Sequence, residues 1–190
     1  MKRLLSDWGA PTLLISGAYL LAFFLTFSAV MPLQEAVMPA FGSYASILFL
    51  PHGVLVIAAW LYGWRSLVFL VPGAILSNTF LFAPSGFSID DMVALFYGAF
   101  CAALSFWILA LVGMDFRIHK SISVNWRDVM LAGVFASVVN SLGAKVLFGH
   151  DLQTVAAWFL GDITGMVVSV LVLMLIFRWL RRFGGHARAR

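Results

Sequence analysis

Five side chains with chemical potential lie in stretches that are otherwise strongly apolar: His52, Asn78, Asn140, Lys145 and Asp162. An imidazole, two amides, an ammonium and a carboxylate can hold a proton, form an ion pair or hydrogen-bond a small polar ligand. Their spacing matches no familiar catalytic or metal pattern. No two histidines recur at i, i+4 as in a helical zinc site, and the single Cys101 offers neither a disulfide nor a thiol pair. No glycine-rich phosphate loop follows a strand. Asp90 and Asp91 are adjacent carboxylates at a helix start, where capping and the helix dipole account for them. His150-Asp151 reads as a solvated loop pair. A serine nucleophile beside a His–Asp pair stays open in a helical bundle, but nothing in the spacing favours one. The expectation is a non-enzyme with no cofactor and no metal.

Asp162 is the most demanding of the five. It lies in WFLGDITGMVVSVLVLMLIF, residues 158–177, a run long enough to cross a bilayer as one helix. A carboxylate at membrane depth is expensive, so it should face the protein interior and have a partner. Gly161, Gly165 and Ser169 repeat every four residues and give a smooth strip for close approach by another helix.

The elements that position these groups follow from composition. Of 190 residues, 63% are hydrophobic and 11% charged, with a mean hydropathy of +1.01. A water-soluble core of this size cannot hide so much apolar surface, so the chain reads as an all-α integral membrane protein, one domain over residues 1–190. Six transmembrane helices are expected near residues 12–32, 44–64, 65–83, 91–113, 128–148 and 153–178. The third contains Pro72-Gly73, which predicts a kink or a break. The amino-terminal apolar stretch is too long for a signal peptide and lacks a clear small-residue cleavage site, so it is read as a retained first helix.

Six spans with both termini cytoplasmic place every Lys and Arg except Lys145 on the inner side, including Arg65, Arg117, Lys120, Arg127 and five carboxy-terminal arginines. Glu35, Asp90, Asp91 and Asp151 fall outside. That partition obeys the positive-inside rule, and Trp64, Trp126 and Trp179 lie at the inner boundary. The expected location is the bacterial cytoplasmic (inner) membrane. Residues 183–190 form a short basic tail, an orientation signal in contact with anionic lipid or a dock for a cytoplasmic partner. The net charge of +4 reports topology, and no nucleic-acid partner is expected.

Depth can then be assigned. His52 lies about 10 Å below the outer end of its span, Asn78 about 8 Å, Asn140 about 12 Å and Asp162 about 13 Å. Lys145 lies within about one turn of the outer surface. All five occupy the outer half, which predicts an interior cavity reached from outside. Plainer roles exist for each. Lys145 can snorkel to the headgroups instead of pairing with Asp162 or a ligand's acid group. Asn140, among Ala132, Gly133, Ala136, Ser137, Ser141 and Ala144, can serve as glue between helices. His52, between Pro51 and Gly53, can bond a carbonyl freed at a kink.

The segment FLPHGVLVIAAWLYGWRSLVFLVPGAILSN (49–78) resembles the opening motif of the first-type bacterial membrane-associated sensor domain, the MASE family, through Pro51, Gly53, Gly63, Trp64, Pro72, Gly73 and Asn78. WFLGDITG (158–165) resembles the same family's second motif through Trp158, Gly161, Asp162 and Gly165. Members usually have more spans and lead into a kinase, cyclase or phosphodiesterase domain. The resemblance therefore implies a sensor that signals through a separate cytoplasmic output protein, as the sequence reaches Arg190 without such a domain. The chain is also similar, more weakly, to the substrate-binding subunits of energy-coupling-factor vitamin transporters, where Ala18 and Ala22 would meet the coupling subunit.

The expected function is recognition of a small-molecule ligand or a partner membrane protein from the outer side. Asp162, Asn140, Lys145, His52 and Asn78 would line the site. Pro51, Gly53, Pro72, Gly73, Gly161 and Gly165 would serve as packing or hinge positions. The alternatives are a solute-capturing transporter subunit and an accessory subunit of a larger membrane complex.

Overall fold

The computed structural model describes residues 5–39, 45–82, 89–116 and 125–184. Lys2, Arg3, Arg117, Lys120, Arg188, Arg190 and the tail beyond Gly184 lie outside the described residues, as do positions 44 and 83 at the expected span ends. All regular structure among the described residues is helical. The first helix, α1, runs over residues 5–37 and winds more widely at Leu5–Gly9 and Thr26–Val30. Each wide turn ends just before a proline, Pro11 or Pro32. A proline has no amide hydrogen, and its ring presses on the carbonyl one turn back, which opens that turn.

Five helices follow: α2 (Leu50–Tyr62), α3 (Arg65–Phe82), α4 (Ile89–Leu111), α5 (Trp126–Phe148) and α6 (Leu152–Gly184). By length and apolar composition, Asp7–Val37 of α1, Trp126–Phe148 and Leu152–Arg182 can each cross a bilayer; Leu50–Tyr62 and residues 96–111 are apolar but shorter. Helix α5 is delimited at both ends. Asn125 and Asp128 form a reciprocal capping box, and Gly149, with φ of 68°, closes the other end in the left-handed region.

Neighbours pair in the order α1–α3–α4–α5–α6, and α2 packs against all five. Small residues make that central position feasible. Ala58 and Ala59 of α2, Ala99, Ala102 and Ala103 of α4, and Ala132 and Ala136 of α5 are all buried, with Phe69, Phe106 and Met166 filling the larger gaps. Large aliphatic side chains such as Leu13, Leu14, Val146 and Leu171 are exposed.

Two helices differ from their sequence expectation. The second was expected over 44–64, yet residues 45–49 are not helical and α2 begins only at Leu50. Pro51 occupies its first turn, where a missing amide hydrogen costs nothing. At 13 residues, about 1.5 Å each, α2 is too short to cross a bilayer alone. In the third, the expected break at Pro72-Gly73 is absent, since the chain stays helical through Pro72. A hydroxyl from α1 bridges the turn beside the proline: Gly73 donates its amide to Ser16 Oγ, which donates to Phe69 O.

Candidate functional site

Three of the five polar residues meet. His52, in the first turn of α2, places Nδ1 3.4 Å from Asp162 Oδ2 of α6. Asn140 of α5 donates from Nδ2 to the same oxygen at 2.9 Å. The far side of the imidazole reaches α5, where His52 Nε2 lies 3.0 Å from Ser137 Oγ and 3.5 Å from Gly133 O. Ser137 can in turn donate to Gly133 O one turn back, at 3.0 Å. A continuous polar line, Asn140–Asp162–His52–Ser137–Gly133, therefore ties α2 to α5 and α6. It is packed shut: His52 is 1% exposed, Asp162 3% and Ser137 0%.

Small residues allow this approach. Ala132, Gly133, Ala136, Ser137, Ser141 and Ala144 are all buried on α5, the close-packing surface expected around Asn140. A methyl group on Gly133 would collide with Met166 of α6.

The other two polar residues lie apart. Asn78 is half-buried and donates from Nδ2 to Ala74 O of its own helix, at 3.1 Å. Lys145 is exposed near the end of α5. Of the pair on α1, Ala22 is buried within this chain while Ala18 is exposed, so the two do not form one free face.

The strip Gly161–Gly165–Ser169 is occupied, mainly by chain that is not helical. Methyl groups on Gly161 and Gly165 would run into Ser46 O and Phe49 O. Gly53, at the start of α2, meets the Ser169 side chain. Segment 45–49 would be untenable in lipid with its backbone unpaired, and its neighbours supply the partners. Gln34 of α1 donates to Ala45 O at 2.9 Å and accepts from the Ile47 amide at 2.8 Å. Thr26 Oγ1 accepts from the Leu50 amide at 3.3 Å. On α6, Gly161 O accepts from the Phe49 amide at 2.9 Å, Thr164 donates to Ile47 O and Ser169 to Leu50 O. Gln34, Thr26, Thr164, Ser46 and Ser137 all escape a reading by charge, since neutral hydroxyls and amides are common near helix ends.

Elsewhere, a groove of about 510 Å³ lies along the far end of α6, lined by Leu175, Ile176, Arg178, Trp179 and Arg182. Asp90 and Asp91 lie in the first turn of α4, and Cys101 is fully buried. Comparison with protein-family models, curated proteins and solved structures finds no match for this chain.

Proposed function

We propose that this chain is a non-enzymatic, sensor-type protein of the bacterial inner membrane. It crosses the bilayer six times, keeps both termini in the cytoplasm and recognises a small ligand or a partner from the outer side. The observation that carries the reading is the buried line through His52. It fastens α2, the helix in contact with all five others, to both α5 and α6. A ligand acts only by favouring one packing over another, and a central helix held by a few polar contacts is where a small stimulus changes the most neighbours. The partition of basic residues supports the topology. Three helices span by length; segment 45–49 extends the short α2, and α3 and α4 make up the six.

The resemblance to the MASE sensor domain fits this arrangement, because its two motifs carry the two sides of the contact: Pro51 and Gly53 flank His52, and Gly161 and Gly165 flank Asp162. Signalling would pass to the cytoplasmic side through α6. Leu175, Ile176, Phe177, Trp179 and Leu180 at its far end are exposed rather than packed in the bundle.

One observation favours a second reading. Ser137 Oγ, His52 Nε2, His52 Nδ1 and Asp162 follow one another in the order of a serine-nucleophile triad. Ser137 lies deep inside α5, fully buried, and its amide belongs to the interior of that helix. An acyl intermediate needs free donors for its oxyanion, and a mid-helix amide is not one. The non-enzymatic reading is therefore preferred.

The test is amide hydrogen exchange on the intact protein in lipid nanodiscs, comparing wild type with Asp162→Asn and His52→Gln. The expected result is normal insertion with faster exchange over α2, segment 45–49 and the facing turns of α6 together. Unchanged exchange in both variants overturns the reading.

A further inference from the structure

We propose that the His52–Asp162 pair is a proton-binding site, loaded from the outer side along the α5 hydroxyls Ser141 and Ser137. The inference rests on the sensor reading above and names the ligand of that site as the proton.

The first observation is Ser141. The residue is 3% exposed, and its buried hydroxyl has no hydrogen-bond partner among the described residues. A buried orphan hydroxyl is rare and costly, and an ordered water is its usual partner. Ser141 lies one turn outward of Ser137 on α5, and the exposed Lys145 one turn outward again. Residues four apart share a helix face, so the polar stripe runs from the outer end of α5 to the imidazole. Ser141 is about 10 Å from that end at 1.5 Å per residue.

The second observation is that Ser137 can serve either charge state of the imidazole. With neutral His52, Nδ1–H donates to Asp162, and Nε2 accepts from the Ser137 hydroxyl at 3.0 Å. With His52 doubly protonated, Nε2–H donates to Ser137 Oγ, which turns its own hydrogen to Gly133 O at 3.0 Å. No heavy atom moves and no polar group loses its partner. The step balances. A hydronium at Ser141 gives up one proton and becomes water, while Ser137 passes its hydrogen to Nε2 and takes the incoming one.

The charge balance gives the direction. The unloaded pair carries one net negative charge inside the bundle, whereas the loaded pair carries none. Burying an uncompensated charge is far costlier than burying a hydrogen-bonded ion pair. Loading should therefore tighten α2 against α6, and unloading should loosen it. Of the helices packed against α2, α6 brings Asp162 to this depth, α4 brings Tyr97 and Cys101, and α1 brings Tyr19. In the interior, α3 and α5 contribute hydroxyls, amides and carbonyls. Tyr97 already donates to Val139 O at 2.9 Å, and Cys101 is fully buried.

The test uses intact protein with ¹⁵N-labelled histidine in nanodiscs, its His52 signals assigned with His52→Gln. As the medium is acidified, the His52 Nε2 resonance should move from an acceptor to a protonated nitrogen. Asp162→Asn should shift that midpoint by more than about one unit, a tenfold change in proton affinity. A resonance that never moves, or a midpoint identical in Asp162→Asn, overturns the proposal. The route is read separately in sealed right-side-out vesicles. Acidifying the outside alone should protonate His52 Nε2, and Ser141→Ala should slow that response several-fold. A response to inside acidification only, or one unaffected by Ser141→Ala, overturns the route. If the variants loosen α2 but the His52 resonance is fixed, the proton inference alone fails; if α2 exchange is also unchanged, the sensor reading fails with it.

Discussion

Gly73 on α3 donates its amide to Ser16 Oγ on α1 at 2.9 Å, and the same hydroxyl donates to Phe69 O at 2.7 Å. One serine thus bridges both members of a ladder pair beside Pro72, in the pair of helices with the most extensive contact. Ser16→Ala should remove both of these hydrogen bonds, at a cost of about 0.5–1.5 kcal/mol for each. Gly73→Ala should cost a similar ~1–3 kcal/mol by overpacking, because its methyl would come 2.6 Å from Ser16 O and 2.8 Å from Ser16 Cα, backbone atoms that cannot turn aside. Thermal unfolding in detergent reads both; stability equal to wild type in either would refute the bridge.

Gln34 holds segment 45–49 with both ends of its amide, donating to Ala45 O and accepting from the Ile47 amide. Gln34→Glu keeps the acceptor and loses the donor, while Gln34→Leu loses both. Exchange at the Ile47 amide should accelerate in Gln34→Leu by an amount equivalent to about 1–3 kcal/mol. It should change less in Gln34→Glu, where the acceptor for that amide survives. Equal protection in the two variants would show that the clasp is incidental.

Asp151, between α5 and α6, accepts from the Thr154 amide at 3.1 Å. The Thr154 hydroxyl, and then that amide, hold its carboxyl below the ordinary carboxylate range. The folded value thus lies below the unfolded one, about 3.9. The contribution of the cap is complete above the unfolded value and is lost as pH falls through the folded one. The Thr154 amide chemical shift should titrate on the acid side of about 3.9, and Asp151→Asn should remove that titration while keeping the helix start. An acid titration that persists in Asp151→Asn assigns the effect to another group.

The helices were legible because long apolar runs bounded by charge mark them, as with α5, expected near residues 128–148 and found over Trp126–Phe148. Its caps at Asn125, Asp128 and Gly149 are not read from that pattern. Asp162 stood out for a related reason, since a carboxylate in hydrocarbon demands a partner. That the partners are His52 and Asn140 depends on helix rotation, which packing sets and sequence periodicity does not. Asn78 shows the limit, because depth placed it with the others and rotation turned it back to Ala74 O. Segment 45–49 was hidden for a different reason. Its residues are as apolar as a helix, and the groups that hold it in place, Gln34 and Thr164, are distant in sequence.

The tightest approach of α2 to α6 is at Gly53, where an added methyl would strike the Ser169 side chain. This contact is one residue from His52, so it sets how closely the imidazole can approach Asp162. Gly53→Ala should cost about 1–3 kcal/mol by overpacking and should weaken the polar line as well. Ser169→Gly alone removes the hydrogen bond to Leu50 O at 3.2 Å, a loss of about 0.5–1.5 kcal/mol, and places a glycine inside α6 at a further cost of about 1 kcal/mol. In the double variant the glycine at 169 vacates the space that the methyl at 53 needs. The cycle should therefore be non-additive, with the double variant more stable than Gly53→Ala. If the two losses simply add, the obstruction to Gly53→Ala lies in the Gly165 carbonyl 3.2 Å away, and Ser169 does not set the spacing.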